Sequence, residues 1–150
     1  MPSIDTSDSI DINADARKIF DVILNYPEMH TWFPSYRCTL IDANAGAKIS
    51  EGSRLNHVVG KPPLVMSRFV RTVRKIVAGK RIEETYDEGQ LRGTGIWTFE
   101  QQGKSTRVTY HCAVRSQGLM MHIGFLLTGA KGHNMLYQQL LRALKKRVEG

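Results

Sequence analysis

Cysteines and long hydrophobic runs are both scarce in this sequence. Its 150 residues contain two cysteines, Cys38 and Cys112, which lie far apart and form no CxxC motif. This excludes a small disulfide scaffold and predicts two reduced, buried thiols. The longest apolar stretch, residues 119–127, is interrupted by a histidine and a glycine. It falls short of the roughly 18 apolar residues that a membrane span requires.

Motifs for secretion, metal binding and nucleotide binding are missing as well. The first residues have neither a basic region nor an apolar core, so we predict a cytoplasmic protein without a secretory signal. No HExxH, GxSxG or Cys–His motif occurs, and none of the five histidines has the spacing of metal ligands. Residues 124–131 approach a phosphate-binding loop, but the lysine is one position late and the stretch is helical. We therefore expect no metal and no cofactor.

Positive charge is in excess and is concentrated in one segment. The chain carries 21 Lys and Arg against 14 Asp and Glu, a surplus that favours anionic surfaces or ligands. The densest run of cations, residues 68–81, is predicted to be a hairpin. It is either a solvated basic face or a contact site for an anionic membrane or an acidic protein. It lacks the interleaved aromatic residues of a nucleic-acid site, so we expect no nucleic acid partner. The cations of this hairpin are Arg68, Arg71, Arg74, Lys75, Lys80 and Arg81.

Alternation of apolar and polar residues predicts a sheet that is apolar on one side. In the last two strands, Trp97 shares a face with Phe99, and Tyr110 shares a face with Cys112. Threonines and charged residues occupy the opposite faces, which is typical of an antiparallel sheet with one face packed and one face in water. The seven predicted strands cover residues 3–12, 36–43, 53–59, 66–77, 81–87, 91–100 and 106–116.

Helical segments flank these strands. Asn13 is predicted to cap the first helix, which ends near Asn25 because Pro27 follows. Residues 26–34 are predicted to form a short helical turn and a loop. Residues 119–150 predict one amphipathic helix of about 30 residues, roughly 45 Å long, whose first half is loosened by glycines. The apolar line of this helix is Leu119, Ile123, Leu126, Ala130, Tyr137, Leu141, Leu144 and Val148.

Six short motifs and the order of the elements identify a family likeness. The motifs are residues 12–16 (INADA), 19–22 (IFDV), 25–28 (NYPE), 32–34 (WFP), 95–100 (GIWTFE) and 105–110 (STRVTY). In this order they resemble the START-like (SRPBCC) superfamily of birch-pollen-allergen-like domains, and in particular its polyketide cyclase/dehydrase and lipid-transport group. The resemblance implies a single α+β domain with the helix-grip fold over the whole chain. A curved seven-stranded antiparallel sheet would wrap a long C-terminal helix, with two short helices after the first strand.

Aromatic side chains and histidines are placed to face the space between sheet and helix. For any one of them a core position is the simpler explanation, but so many around one curved sheet fit a pocket for a flat or oily ligand. The histidines are either ordinary residues bonded to neighbours or groups that orient a ligand or move a proton. The predicted pocket is lined by Trp32, Tyr36, His57, Tyr86, Trp97, Phe99, Tyr110, His122, Ile123, Leu126, His133 and Tyr137.

The leading hypothesis is the binding, and with it the transport, of a hydrophobic small molecule such as a lipid, an isoprenoid quinone or a polyketide-like aromatic. The alternative is a polyketide aromatase/cyclase or dehydratase that acts in the same pocket, although the sequence offers no evident acid–base pair. A third hypothesis is an adaptor that docks through the hairpin of residues 68–81. We predict that the pocket opens among residues 26–34, residues 60–63 and the start of the last helix.

Overall fold

The strands of this chain pair into one sheet, and the C-terminal helix packs across its inner face. The structure is a computed structural model that describes residues 3–41, 47–60 and 67–150, without the side chains of residues 120–122 and 124–132. The strands are β1 (Ser3–Ile12), β2 (Tyr36–Leu40), β3 (Arg54–Val59), β4 (Ser67–Val77), β5 (Arg81–Gly89), β6 (Leu91–Gln102) and β7 (Ser105–Ser116). The helices are α1 (Ala16–Leu24), a 3-10 helix (Tyr26–Thr31) and α2 (Leu119–Glu149).

The sheet follows the order β1-β7-β6-β5-β4-β3-β2, and each neighbouring pair is antiparallel. Alternation gives it one inner, apolar face. Along β7, for example, Val108, Tyr110, Cys112 and Val114 are buried while the residues between them are half-buried or exposed. Register shifts between β4 and β5 mark bulges, which increase local bending. The α+β architecture predicted from the sequence, a curved antiparallel sheet around a C-terminal helix, is confirmed.

The first helix begins later than the sequence pattern indicates. Asp15, not Asn13, is the N-cap residue, and its side chain makes no capping hydrogen bond. The backbone N–H of Ala16 instead donates to Gln101 Oε1 of β6 at 2.8 Å, and the backbone N–H of Asn13 donates to Glu149 Oε2 at 2.9 Å. The prediction of Asn13 as the cap was wrong because the acceptors come from distant elements, which local propensity does not see.

The two ends of α2 differ in burial. Tyr137, Leu141, Leu144 and Val148 are buried, as the predicted apolar line requires, and α2 lies along β1 and touches β7. At the other end the apolar line is not covered: Leu119 is 75% exposed and Ile123 is 43% exposed. Neither helix, within the described residues, combines the length and the apolarity that crossing a bilayer would take.

Candidate functional site

A buried arginine stands at the centre of the inner face. Arg71 of β4 is only 2% exposed, because alternation along the strand places it between the buried residues Phe69 and Val73. Its guanidinium carbon lies 4.5 Å from the ring centre of Tyr86 and 5.0 Å from that of Phe69. Rings at these distances attract a cation, and they replace part of the hydration that the guanidinium loses on burial.

Hydroxyl groups complete the surroundings of this arginine. Arg71 Nη2 donates to the hydroxyl of Tyr86 and, at 2.7 Å, to the hydroxyl of Tyr137 on α2. The Tyr86 and Tyr110 hydroxyls lie 2.6 Å apart. Burial raises the pKa of all three tyrosines, so their hydroxyls stay protonated at neutral pH. The network joins β4, β5, β7 and α2 through a single charged group.

The carboxyl group nearest to the arginine belongs to Glu84 of β5. Its Oε2 lies 3.3 Å from Arg71 Nη1, and the hydroxyl of Tyr26 donates to its Oε1. Burial raises the pKa of Glu84 to about 8. The carboxyl group is therefore largely protonated at neutral pH, which leaves the positive charge of Arg71 only partly balanced.

A second polar group of the inner face is built around His57 of β3. Its Nδ1 lies 3.0 Å from the Tyr36 hydroxyl and 3.2 Å from Cys38 Sγ, and its ring stacks on Phe69 at 5.2 Å. Burial lowers the pKa of His57 well below its usual value and raises the pKa of the Cys38 thiol. His57 is therefore a neutral imidazole, and Cys38 remains a thiol at neutral pH. Both cysteines are free and buried, as predicted.

Three buried nitrogens of the inner face lack a hydrogen-bond partner within the described part of the chain. They are Arg71 Nε, His57 Nε2 and Trp97 Nε1. The arginine and tryptophan nitrogens carry hydrogen and act only as donors. A buried donor without an acceptor is costly, so the site is suited to a molecule that brings oxygen atoms to these positions.

The aromatic residues predicted to line the pocket form a continuous stack. The Trp97 ring lies 4.6 Å from Tyr110, Tyr110 stacks on Tyr137 at 4.5 Å, and Tyr137 stacks on His133 at 4.6 Å. Phe99 continues the stack on the other side of Trp97, at 6.4 Å. This stack lies beneath the middle of α2, with Trp97 and Tyr110 on the sheet and Tyr137 on the helix.

The remaining predicted residues are placed less centrally. Trp32 is half-buried, packed against the core, and Ile123 is exposed rather than enclosed. His133 is half-buried, with Nδ1 3.4 Å from the Thr6 hydroxyl, and burial lowers its pKa to about 4. The side chains of His122 and Leu126 lie outside the described residues. The structure thus brings together Tyr36, His57, Tyr86, Trp97, Phe99, Tyr110, His133 and Tyr137.

Sequence reasoning missed Arg71, Glu84, Tyr26 and Cys38 as members of this site. It counted Arg71 among the cations of the hairpin, although alternation with Phe69 already indicated an inward position. The same hairpin is not uniformly basic in the structure. Arg74 lies 3.3 Å from an oxygen of Asp87, and Arg81 lies 3.3 Å from an oxygen of Glu83.

Surface depressions lie around the sheet and α2, and one of them is lined in part by Phe99 of the aromatic stack. One depression lies where the start of α1 meets the turn after β4, and another follows the outer side of α2 around Asn134 and Arg142. A third lies beside the start of β3. Among the residues that the structure describes, no three His, Cys, Asp or Glu side chains are grouped to hold a metal ion.

Comparison with known proteins points to one family. The family model described as polyketide cyclase / dehydrase and lipid transport matches residues 3–149. No curated protein matches the sequence significantly.

Solved structures share the fold at low identity. A START superfamily protein from Mycobacterium smegmatis is 17% identical over 97% of both chains, with a TM-score of 0.74. The protein Ara h 8.0201 is 11% identical over 97% of both chains, with a TM-score of 0.68. The ZhuI aromatase/cyclase from Streptomyces sp. R1128 is 9% identical over 94% of this chain and 93% of its own, with a TM-score of 0.67.

Proposed function

Because the chain belongs to the polyketide cyclase/dehydrase and lipid-transport family, we propose that it binds a hydrophobic small molecule that carries carbonyl or carboxylate oxygens. The ligand lies between the inner face of the sheet and the first half of α2. Its oxygen-bearing end faces Arg71 and His57, and its apolar remainder contacts the aromatic residues around them.

The observation that carries this proposal is the buried, incompletely balanced Arg71 with its unpartnered Nε. A purely apolar ligand would leave that donor, together with Trp97 Nε1, without an acceptor. A hydrogen bond from a charged donor contributes about 1.5–3 kcal/mol, which corresponds to roughly ten- to hundred-fold in affinity. Apolar contact adds about 25 cal/mol for each Å² of apolar surface removed from water. Both contributions are needed for a ligand with an oily body and a polar end.

Two measurements test the proposal: identification of a ligand that stays bound through purification, and binding of a dye. Native mass spectrometry and solvent extraction of the purified protein should release a hydrophobic compound with oxygen functions. The anionic dye anilinonaphthalene sulfonate, which combines fused rings with an acidic group, should bind and quench Trp97 fluorescence.

The role of Arg71 is tested with the same dye. The double variant Arg71→Met with Glu84→Gln removes both members of the buried pair, and it should bind the dye at least about ten-fold more weakly. Arg68→Met, an exposed change on the same strand, is the matched control and should bind as the unmodified protein does. Equal dye affinity in all three proteins would overturn the proposal.

A second candidate, catalysis of an aldol-type cyclisation, is favoured by the protonation states in the same site. Glu84 is largely protonated and His57 is neutral at neutral pH, so an acid and a base are present together. Both lie next to Tyr26, which donates to Glu84 and packs edge-on against His57 at 6.0 Å.

In this second candidate the substrate would be a chain of alternating carbonyl groups. His57 Nε2 removes a proton from the carbon between two carbonyls, and Arg71 donates to the enolate oxygen. That carbon then bonds to a second carbonyl carbon, whose oxygen takes a proton from Glu84. The proton held by His57 returns to Glu84, which restores both groups.

Turnover separates the two candidates. A linear poly-β-ketone thioester should be cyclised by the unmodified protein, and His57→Phe should lose that activity even at thioester concentrations that saturate binding. Binding of the thioester without any product would leave the ligand-binding function and remove the enzymatic one.

A further inference from the structure

Four arginines mark one end of the sheet. Arg37, Arg68 and Arg92 are each the second residue of their strand, and Arg115 is the second-last residue of its own. Because the strands are antiparallel, the starts of β2, β4 and β6 lie at the same end as the close of β7. Alternation with their inward-facing neighbours places all four on the outer face. We call this row the arginine rim.

The arginine rim is not balanced by carboxylates. Arg92 lies directly opposite Arg115 in the register of β6 and β7, an arrangement in which like charges repel. None of the four contacts an acidic side chain within the described residues, and Arg92 donates only to backbone carbonyls of its own hairpin. Further along the outer face, arginines are paired with carboxylates at 2.9–3.3 Å; these are Arg54, Arg74, Arg81 and Arg107.

Exposed apolar side chains lie beside this rim. Leu119 follows Arg115 by four residues and is 75% exposed, and Ile123, one helical turn later, is 43% exposed. Leu119 leaves most of its apolar surface in water, Ile123 leaves a substantial part of its own, and neither is a member of the hydrophobic core. Cationic residues next to exposed aliphatic side chains are typical of a protein surface that lies in the headgroup region of a bilayer.

We propose that the arginine rim, with Leu119 and Ile123, is a docking surface for an anionic lipid bilayer. The arginines contact the acidic headgroups, and the two aliphatic side chains enter the boundary of the acyl region. The charge complementarity and the aliphatic side chains together favour a bilayer over an acidic protein. The surface lies at the end where α2 begins, next to the space proposed for the ligand, but the docking does not depend on ligand binding.

The test is co-sedimentation with vesicles of phosphatidylcholine and phosphatidylglycerol in equal parts, against vesicles of phosphatidylcholine alone. The protein should bind only the anionic vesicles, and high salt should release most of it. A basic residue near an anionic surface contributes about five-fold in affinity. The triple variant Arg37→Gln, Arg68→Gln and Arg115→Gln should therefore bind about a hundred-fold more weakly.

A charge-matched control separates the rim from net charge. The triple variant Lys75→Gln, Lys80→Gln and Lys104→Gln removes the same charge from exposed positions at the opposite end of the sheet, and it should bind within about two-fold of the unmodified protein. A separate variant, Leu119→Ser with Ile123→Ser, should weaken binding about ten-fold.

Three outcomes would overturn the proposal. They are an absence of binding to the anionic vesicles, an equal loss in the arginine and lysine variants, and stronger binding to polyglutamate than to the anionic vesicles. The arginine and lysine variants should bind anilinonaphthalene sulfonate normally, so failure of docking and failure of the proposed ligand site are measured separately.

Discussion

The interior beneath the last turns of α2 is apolar, and we call it the dry region. The interior beneath the middle of α2 contains a charge and buried hydroxyls, and we call it the polar region. Leu140, Leu141, Leu144 and Val148 are buried apolar side chains of the hydrophobic core. One turn before Leu141, Tyr137 meets Arg71 and a group of buried hydroxyls. The dry region stabilises the fold through burial alone. The polar region holds a charge and unpartnered donors that burial does not favour, which is typical of a site retained for function.

The largest effect should come from breaking the charged pair of the polar region. Arg71→Met removes the donor to the buried hydroxyls of Tyr86 and Tyr137 and should lower the free energy of unfolding by about 3–5 kcal/mol. Adding Glu84→Gln should restore part of that loss above pH 8, where the carboxyl group of Glu84 would otherwise carry a charge. Urea denaturation of the two variants and the single Glu84→Gln variant measures the coupling. If the double variant is less stable than Arg71→Met, the pair is not coupled as we describe.

A dry-region variant gives the counterpart of that experiment. Leu141→Ala removes a fully buried side chain and should lower the free energy of unfolding by about 3 kcal/mol through lost apolar contact and a residual cavity. Dye affinity should change by less than about two-fold, because the site is not touched. If Leu141→Ala loses dye binding under conditions where it is still folded, the two regions are not separate.

These two regions also differ in how far the sequence predicts them. Leu141, Leu144 and Val148 follow from helical periodicity, and the seven strands follow from alternation. Alternation also places Arg71 inward. Its tolerance there depends on Glu84, on Tyr137 and on a register shift between β4 and β5, which joins Arg71 to Tyr86. No local sequence pattern predicts that Glu84, Tyr137 and Tyr86 surround Arg71. The sequence therefore predicts only part of the polar site, namely its aromatic rings and His57.

A glycine at the border of the two regions offers a smaller perturbation. A methyl group at Gly95 would clash with the Tyr110 hydroxyl, so that ring must move. Gly95→Ala should weaken the Tyr86–Tyr110 hydrogen bond and lower the free energy of unfolding by about 1–2 kcal/mol. In a Trp32→Phe background, Trp97, whose ring lies 4.6 Å from Tyr110, reports the shift through its fluorescence.

The exposed Gly103, where no atom lies within 4 Å of such a methyl group, is an unsuitable control because its φ of +63° is itself unfavourable for other residues. Thr94→Ala, on the outer face one residue away, is the better match and should leave the fluorescence unchanged. An unshifted Trp97 spectrum in Gly95→Ala would mean that Tyr110 does not hold the position described.

The smallest effect should be a dependence on pH confined to the polar region. The pKa of Glu84 rises from 4.5 to about 8 on folding, so folding favours its protonated form. The resulting stability is fully present below pH 4.5 and is lost as pH rises from there through 8. Glu84→Gln cannot ionise and should remove this part of the pH dependence, whereas Leu141→Ala should retain it. Denaturation midpoints at pH 5 and pH 8 provide the measurement. If the denaturation midpoint falls more between pH 5 and pH 8 in Glu84→Gln than in the unmodified protein, the group that titrates lies outside the Arg71 network. The difference between the dry and the polar region would then depend on a charged residue other than Glu84.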